Sequence, residues 1–284
     1  MRTLVVGAAG MLGQEVTAAC HERDHEVVAL AHPAFEITNP AAVDAVLSRY
    51  RPDAVVNCAA FTDVDGAEDD EAGAMLVNDE GAALLAASAA SVGAKVLYPS
   101  SDYVFDGTRS QPYVESDLPS PLSAYGRTKQ AGETSVAVSN PRHFIVRSSW
   151  LFGLGGKNFV ETMLRLGSEQ PEVLVVSDQV GCPTYTRHLG EAFALLVEGD
   201  EFGIHHVAGG GQCSWYEFAQ EIFDQAGLEC RVMSATTGML ARKAPRPAYS
   251  VLGSERRDAI VLPHWSRGLA AYLAEREALE VGAQ

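Results

Sequence analysis

Apolar and polar positions along the first half of the chain spell out strand and helix in turn. Thr3-Leu4-Val5-Val6 is a short apolar run of the kind a buried strand shows, and a helix-like segment follows from about Met11 to His21. Glu26 to Leu30 reads as a second strand. Asn39-Pro40 opens the next helix, with the asparagine as cap and the proline at the first helical position. Asp53 to Asn57 is a third strand, Glu71 to Ser91 a long helix, Lys95 to Ser100 a fourth strand and His143 to Arg147 a fifth. Such alternation requires right-handed crossovers, which build a doubly wound parallel sheet. After Trp150 the pattern loosens. Asn158 to Leu166 looks helical, Glu172 to Val176 a strand and His188 to Val197 a helix, while Ile204 to Val207 is placed to return to the sheet. Ser214 and Glu217 have capping-box spacing for a helix to about Ala226, and a last helix is expected near Arg267 to Arg276. The expected fold is therefore α/β. A Rossmann-type sheet comes mainly from residues 1–150, and a smaller lobe from 151–284 is interleaved with it.

Composition narrows the partners. A chain of 284 residues, 47% hydrophobic and 20% charged, is long enough for a substantial core. The formal net charge of −16, with no basic stripe, argues against nucleic acid as a partner. It leaves an anionic small substrate open, since local arginines decide that. Cys20, Cys58, Cys182, Cys213 and Cys230 are scattered, odd in number and without a C-x-x-C pair, so they read as free thiols in a reducing compartment. The first strand begins almost at Met1, no signal peptide is expected, and no apolar run reaches membrane-spanning length. The expected location is cytoplasmic, away from membranes.

Two motifs carry chemistry. Gly7-Ala-Ala-Gly10-Met11-Leu12-Gly13 joins the first strand to the first helix. Its glycines let backbone approach a pyrophosphate, and the helix start offers free N–H groups and a positive dipole end. The spacing G-x-x-G-x-x-G differs from the commonest dinucleotide fingerprint, G-x-G-x-x-G. The second motif is Tyr125-Gly-Arg-Thr-Lys129, whose ends share one helical face. A phenol is a poor acid near neutrality, and a nearby ammonium is expected to lower its pKa and make it a usable proton donor or acceptor. Tyr-x-x-x-Lys alone arises often by chance; its company here gives it weight.

That company lies just after predicted strands, where open α/β sheets hold their ligands. It comprises Asn57-Cys-Ala-Ala-Phe-Thr-Asp-Val-Asp65, Ser101-Asp-Tyr-Val-Phe-Asp-Gly107, Tyr125-Gly-Arg-Thr-Lys-Gln-Ala-Gly-Glu133, Asp178-Gln-Val-Gly-Cys-Pro-Thr184, and Arg246-Pro247 with Ser250 and Leu252. With the glycine turn, these resemble the extended short-chain dehydrogenase/reductase superfamily, and more narrowly the dTDP-4-dehydrorhamnose reductase family. The Asp178 to Thr184 run is the part most specific to that branch.

The resemblance implies a nicotinamide-dependent reduction of the C4 ketone of a nucleotide-linked 6-deoxy sugar. It assigns Tyr125 as proton donor, Lys129 as the group that depresses the tyrosine pKa and holds the nicotinamide ribose, and Ser101 as a hydrogen-bond partner of the substrate oxygen. A hydroxyl pair suits that task, because hydride arriving at carbon leaves negative charge on oxygen. The resemblance also places Gly7, Gly10, Met11, Leu12, Gly13, Ala59, Ala60 and Thr62 along the cofactor. It puts Asp102, Tyr103 and Trp150 at the sugar side, and Asn158, Gln179 and Arg246 at the nucleotide diphosphate. Strand two ends Val28-Ala-Leu-Ala-His32 without the carboxylate that favours NADH, so NADPH is expected, with NADH also accepted. The same branch admits a homodimer and a divalent metal between subunits. Glu275, Glu277 and Glu280 are acidic near the C-terminus, but surface glutamates are common on helices and no catalytic metal is expected. Two other readings stand beside this one. One is a ketoreductase for a specialised deoxysugar; the other is a binding subunit like the regulatory subunit of methionine adenosyltransferase. Intact Ser101, Tyr125 and Lys129 speak against the second. A dehydratase would want an acidic pair at Ser100-Ser101-Asp102, which offers one carboxylate.

Overall fold

Strand residues of the first half divide between two apolar layers, one on each face of a single sheet. In this computed structural model, which describes residues 1–282, the strands are β1 (Arg2–Val6), β2 (Glu26–Leu30), β3 (Ala54–Asn57), β4 (Lys95–Ser101) and β5 (His143–Ser148). Val5, Val56, Leu97, Phe144 and Val146 face α1 (Met11–Glu22) and α7 (Thr186–Glu198). Leu4, Val6, Val55, Val96 and Tyr98 face α2 (Pro40–Tyr50), α4 (Ala82–Ser91) and α5 (Ala124–Ser139). Both faces are covered, as an all-parallel sheet requires. The strand order is β10-β5-β4-β3-β1-β2, with every pair parallel. Its outer strand β10 (Gly203–His206) comes from the second half.

The rest of that half packs around its own core of Phe152, Val160, Met163, Phe218, Ile222, Phe223, Leu269 and Tyr272. It contains α6 (Phe159–Glu169), α8 (Trp215–Ala226), the short α9 (Thr237–Leu240) and α10 (Trp265–Gly282). Three small pairings tie it together: β6 (Leu151–Phe152) with β9 (Thr184–Tyr185), β7 (Glu172–Val176) with β12 (Arg231–Ala235), and β8 (Val180–Gly181) with β11 (Cys213–Ser214). The expected caps form. Asn39 accepts from Ala42 N, and Ser214 and Glu217 close a reciprocal capping box.

The long helix expected from Glu71 to Ser91 is not regular. It begins as α3 (Glu71–Met75), widens into a π turn at Leu76–Gly81 and continues as α4. The widened turn frees the Asn78 carbonyl, which accepts from Tyr98 Oη at 2.7 Å. The Asn78 amide bridges the chain after β3 and α5: it exchanges two bonds with the Phe61 backbone and donates to Thr128 Oγ1 at 3.0 Å. A π turn at a functional site is a recurrent device.

Gly132 makes this junction possible, because a Cβ there would lie 2.1 Å from Asn78 O and 2.4 Å from Tyr98 Oη. Gly132→Ala should therefore push α5 off β4 and cost about 1–3 kcal/mol. Denaturant unfolding measures this; unchanged stability would mean that the helix is not seated on the π turn.

Candidate active site

The carboxyl ends of β1, β3, β4 and β5 converge on one edge of the sheet. At the β1 end, Gly7 adopts φ +74, and a Cβ there would sit 2.5 Å from Ala59 N. A Cβ on Gly13 would lie 2.2 Å from Gly7 O. These two glycines are required by backbone packing. Gly10 differs: its Cβ would meet only Gly7 O, at 3.3 Å. Gly10 caps α1 without any side-chain bond, so the N–H groups of Met11, Leu12 and Gly13 begin the helix with their usual acceptors missing. Free donors at an exposed helix start and a positive dipole end together suit a pyrophosphate. Ala59 and Ala60, partly buried, and exposed Thr62 continue this wall after β3.

At the β4 end the two serines separate. Ser100 Oγ turns toward α5 and donates to Glu133 Oε1 at 2.5 Å. Ser101 Oγ donates to Asp102 Oδ1 at 3.1 Å and accepts from Tyr103 N at 3.1 Å, and it lies close enough to the Tyr125 hydroxyl to lower the tyrosine pKa. The structure thus unites Ser101 with Tyr125 and assigns Ser100 elsewhere. Lys129 follows one turn later on α5, 2% exposed, its Nζ 4.0 Å from the centre of the Tyr98 ring.

Electrostatics here differs from the expectation that an ammonium lowers the tyrosine pKa. Burial pushes Tyr125 up to about 12, the Asp102 charge adds to the rise, and the bond with Ser101 opposes it. Burial also pulls Lys129 down to about 7, against the charges of Glu133 and Cys58. Desolvation is the largest influence on both groups, and the main influences on each do not include the other. The phenol therefore keeps its proton near neutrality, and its surroundings do not make it a stronger acid than an ordinary tyrosine.

Several residues expected on substrate also have protein partners. Asp102 is 2% exposed and lies beneath Ser101 instead of on the open wall; its second oxygen accepts from Ser250 Oγ at 2.6 Å. Burial raises its carboxyl to about 7 against these bonds. Tyr103 stands edge-on to Tyr125 with ring centres 6.0 Å apart and pairs with Arg246. Arg246 also grips Asp65 with two nitrogens at 3.1 and 3.0 Å. Asn158 caps α6 and donates to Gly153 O and Gly156 O, which sets it against Met11 at the glycine turn. Gln179 donates to Thr237 Oγ1 at 2.9 Å. Trp150 follows β5 in a left-handed conformation, φ +49, and stacks on Trp215 with ring centres 3.5 Å apart. Gly181 gives its ring room, since a Cβ there would lie 2.5 Å from it. Glu275 accepts from Tyr185 and from Arg187, and Glu280 pairs with Arg276.

Sequence reasoning missed Asn78 and Trp215, and named Ser250 only within a motif, without its role at Asp102. Asn78 left one trace, a polar residue inside an alanine-rich helical run; the other two depend on contacts far apart in sequence.

The family model described as "RmlD substrate binding domain" matches residues 1–278. A dTDP-4-dehydrorhamnose reductase of Streptomyces griseus is 44% identical over 94% of this chain and 91% of its own. A probable dTDP-4,6-dihydroxy-2-methyloxan-3-one 4-ketoreductase of Streptomyces antibioticus is 42% identical over 90% and 88%. The solved dTDP-4-dehydrorhamnose reductase of Bacillus anthracis, in complex with NADP, superposes with a TM-score of 0.94. It is 37% identical and covers 96% of this chain and 99% of that one.

The glycines predict a split. Gly10→Val should fold normally, yet weaken NADPH binding at least tenfold, because the added side chain enters the open space at the helix start. Calorimetric titration checks this, and normal affinity would make the loop a plain turn. Asp102 predicts a pH dependence. Its folded pKa lies above the ordinary carboxylate value, so its contribution to stability is present below about pH 4 and lost as pH rises through about 7. Asp102→Asn, neutral throughout, should gain on the wild type by more than about 1 kcal/mol between pH 5 and 8. Denaturant unfolding at both pH values measures it; a constant difference would show that Asp102 does not ionise in this window.

Proposed function

The chain belongs to the family of the RmlD substrate binding domain, and from this membership we propose that it reduces the C4 ketone of dTDP-4-dehydro-L-rhamnose to give dTDP-L-rhamnose. It is an NADPH-dependent oxidoreductase acting on a nucleotide sugar. The observation that carries the reading is Tyr125 beside Ser101 at the carboxyl edge of a dinucleotide-type sheet, with Lys129 one turn further along α5 over the Tyr98 ring.

NADPH supplies the hydride when bound. The protein's task is the oxygen, on which negative charge develops as the ketone is reduced. Tyr125 holds its proton up to about pH 12 and donates it there. Ser101 donates a hydrogen bond to the same oxygen, for which its proton must turn away from Asp102. Lys129 orients the nicotinamide ribose. Gly7, Gly10, Met11, Leu12, Gly13, Ala59, Ala60 and Thr62 line the dinucleotide, which residues 1–150 hold. The lobe from residue 151 onward supplies Trp150's stacking partner and, with Arg246, a cation for the nucleotide diphosphate. At the ribose end, Glu26 lies at the start of β2, bonded to Arg2, and is out of reach of a ribose bound at the other end. No carboxylate follows β2 directly, and His32 there pairs with Glu36 at 2.7 Å. A homodimer in a reducing, cytoplasmic compartment completes the reading; the five cysteines are free.

A second reading keeps the chemistry and changes the sugar. The likeness to the Streptomyces antibioticus ketoreductase favours testing it.

The deciding experiment is a panel of nucleotide-linked 4-keto-6-deoxy sugars, followed by loss of reduced-nicotinamide absorbance. We expect turnover with dTDP-4-dehydro-L-rhamnose, kcat/KM with NADPH at least equal to that with NADH, and a loss of about a hundredfold or more in kcat for Tyr125→Phe with cofactor affinity kept. Cofactor binding without turnover of any sugar would make the protein a binding subunit.

A further inference from the structure

The sequence motif around Tyr125 runs on to Glu133, a residue to which the reduction assigns nothing. Tyr125, Lys129 and Glu133 are spaced i, i+4 and i+8 on α5, so they lie along one face of the helix. Glu133 is buried. Its carboxylate receives Arg147 Nε at 2.8 Å and Nη2 at 2.7 Å, and Ser100 Oγ at 2.5 Å. The side chains of Arg147 and Glu133 are 1% and 6% exposed. Arg147 is held in turn, with its Cζ 5.1 Å from the centre of the Phe105 ring and Nη1 3.4 Å from His206 Nε2. A buried ion pair is weak evidence for stability, because well-packed apolar residues often serve as well or better. Its position beneath the reacting groups suggests another role.

We propose that Glu133 is a positioning residue of the reduction: braced by Arg147 and Ser100, it keeps the Lys129 side chain an ammonium at its post over the Tyr98 ring. The proposal rests on the reading of Lys129 given above. Burial acts to neutralise Lys129, and the groups that face it decide how far this goes. From α5 these are Tyr125 and Glu133, from the chain after β3 Cys58, and from β4 Tyr98 and Ser100. The π turn brings Asp79 near Tyr98, and β5 brings Arg147 behind Glu133. Tyr125 and Cys58 are both pushed up to about 12 and so are uncharged near neutrality. Of the charges around Lys129, Glu133 is the one that most opposes burial. Arg147 and Ser100 fix that carboxylate in place.

The sign of the test follows. Lysine stays charged below its pKa, and removing the carboxylate lowers that pKa further, so the ammonium is lost at a lower pH. The measurement is the pH titration of the Lys129 Cε resonance in protein carrying carbon-13 lysine, assigned by its loss in Lys129→Met. NADPH affinity is followed over the same range. In Glu133→Gln the titration midpoint should fall by about one unit, and NADPH affinity at pH 8 by about tenfold. Glu133→Asp, which keeps the charge, should leave the midpoint near the wild-type value even where turnover drops. Glu133→Gln/Arg147→Gln replaces the ion pair with an amide pair and serves if the single variant fails to fold; its midpoint should also fall. A midpoint unmoved in the folded amide variants, with turnover or melting temperature reduced, would make the cluster a structural brace and overturn the proposal. If Lys129→Met changed neither turnover nor affinity, the role of Lys129 itself would fail, and the proposal with it. Lys129→Met impaired, with the Glu133 midpoint unmoved, overturns the proposal alone.

Discussion

The close seating of α5 on the carboxyl end of β4 is the constraint on which the site depends. Tyr125 and Lys129 ride on the helix and Ser101 on the strand, so their meeting is a matter of how near the two backbones come. Two missing side chains permit it. A Cβ on Gly126 would lie 2.2 Å from Tyr103 O, and one on Gly132 would lie 2.1 Å from Asn78 O. Ser123 caps the helix at Gly126 N, and Glu68 accepts from Ala124 N, which fixes the first turn. Farther along, the Glu133–Arg147 pair anchors the same helix to β5. A helix held at both ends and in the middle has little freedom to slide, which is what groups that must meet at hydrogen-bond distance need.

Within that frame, desolvation governs the charges. Lys129 falls from an ordinary value of 10.5 to about 7, a net cost of about 5 kcal/mol to its charged form. Tyr125 and Asp102 rise for the same reason. The three shifts all favour neutral forms: a phenol with its proton, a carboxyl titrating near neutrality and an amine titrating near neutrality. The Tyr-x-x-x-Lys spacing placed the two groups on one face, but burial, which spacing does not report, is the largest influence on the tyrosine. Spacing reports proximity, whereas the dielectric around a pair depends on everything else that packs there.

What sequence could and could not reveal divides along the same line. Alternating strands and helices, the Asn39 and Ser214 caps and the glycine turn are local, and they were legible because each depends on residues within a few positions. The π turn was not, because Asn78 leaves the regular helix for partners at Phe61, Tyr98 and Thr128. The substrate wall was legible as a set of motifs but not as contacts. Asn158, Gln179 and Arg246 were grouped by function, whereas the fold gives them a cap, a threonine and an aspartate as partners. Polar residues at strand ends can satisfy the protein or a ligand equally well, and only three-dimensional neighbours distinguish the two.

Those partners have a consequence for how the fold divides its labour. The segment from Lys243 to Ser250 crosses from the second half onto the first. Lys243 pairs with Asp69, Ala244 N and Arg246 bond Asp65, and Ser250 reaches Asp102 beneath Ser101. Gly107 makes room for the crossing, since a Cβ there would lie 2.6 Å from Pro247 Cβ. The residues that set the reacting hydroxyls are therefore held by a strap that also carries Arg246, the cation nearest Tyr103. The second half thus reaches Ser101 through the buried Asp102 carboxylate, while Tyr125 and Lys129 are carried by α5. Such an arrangement lets one scaffold keep its reduction chemistry while the lobe above it is remodelled for different sugars.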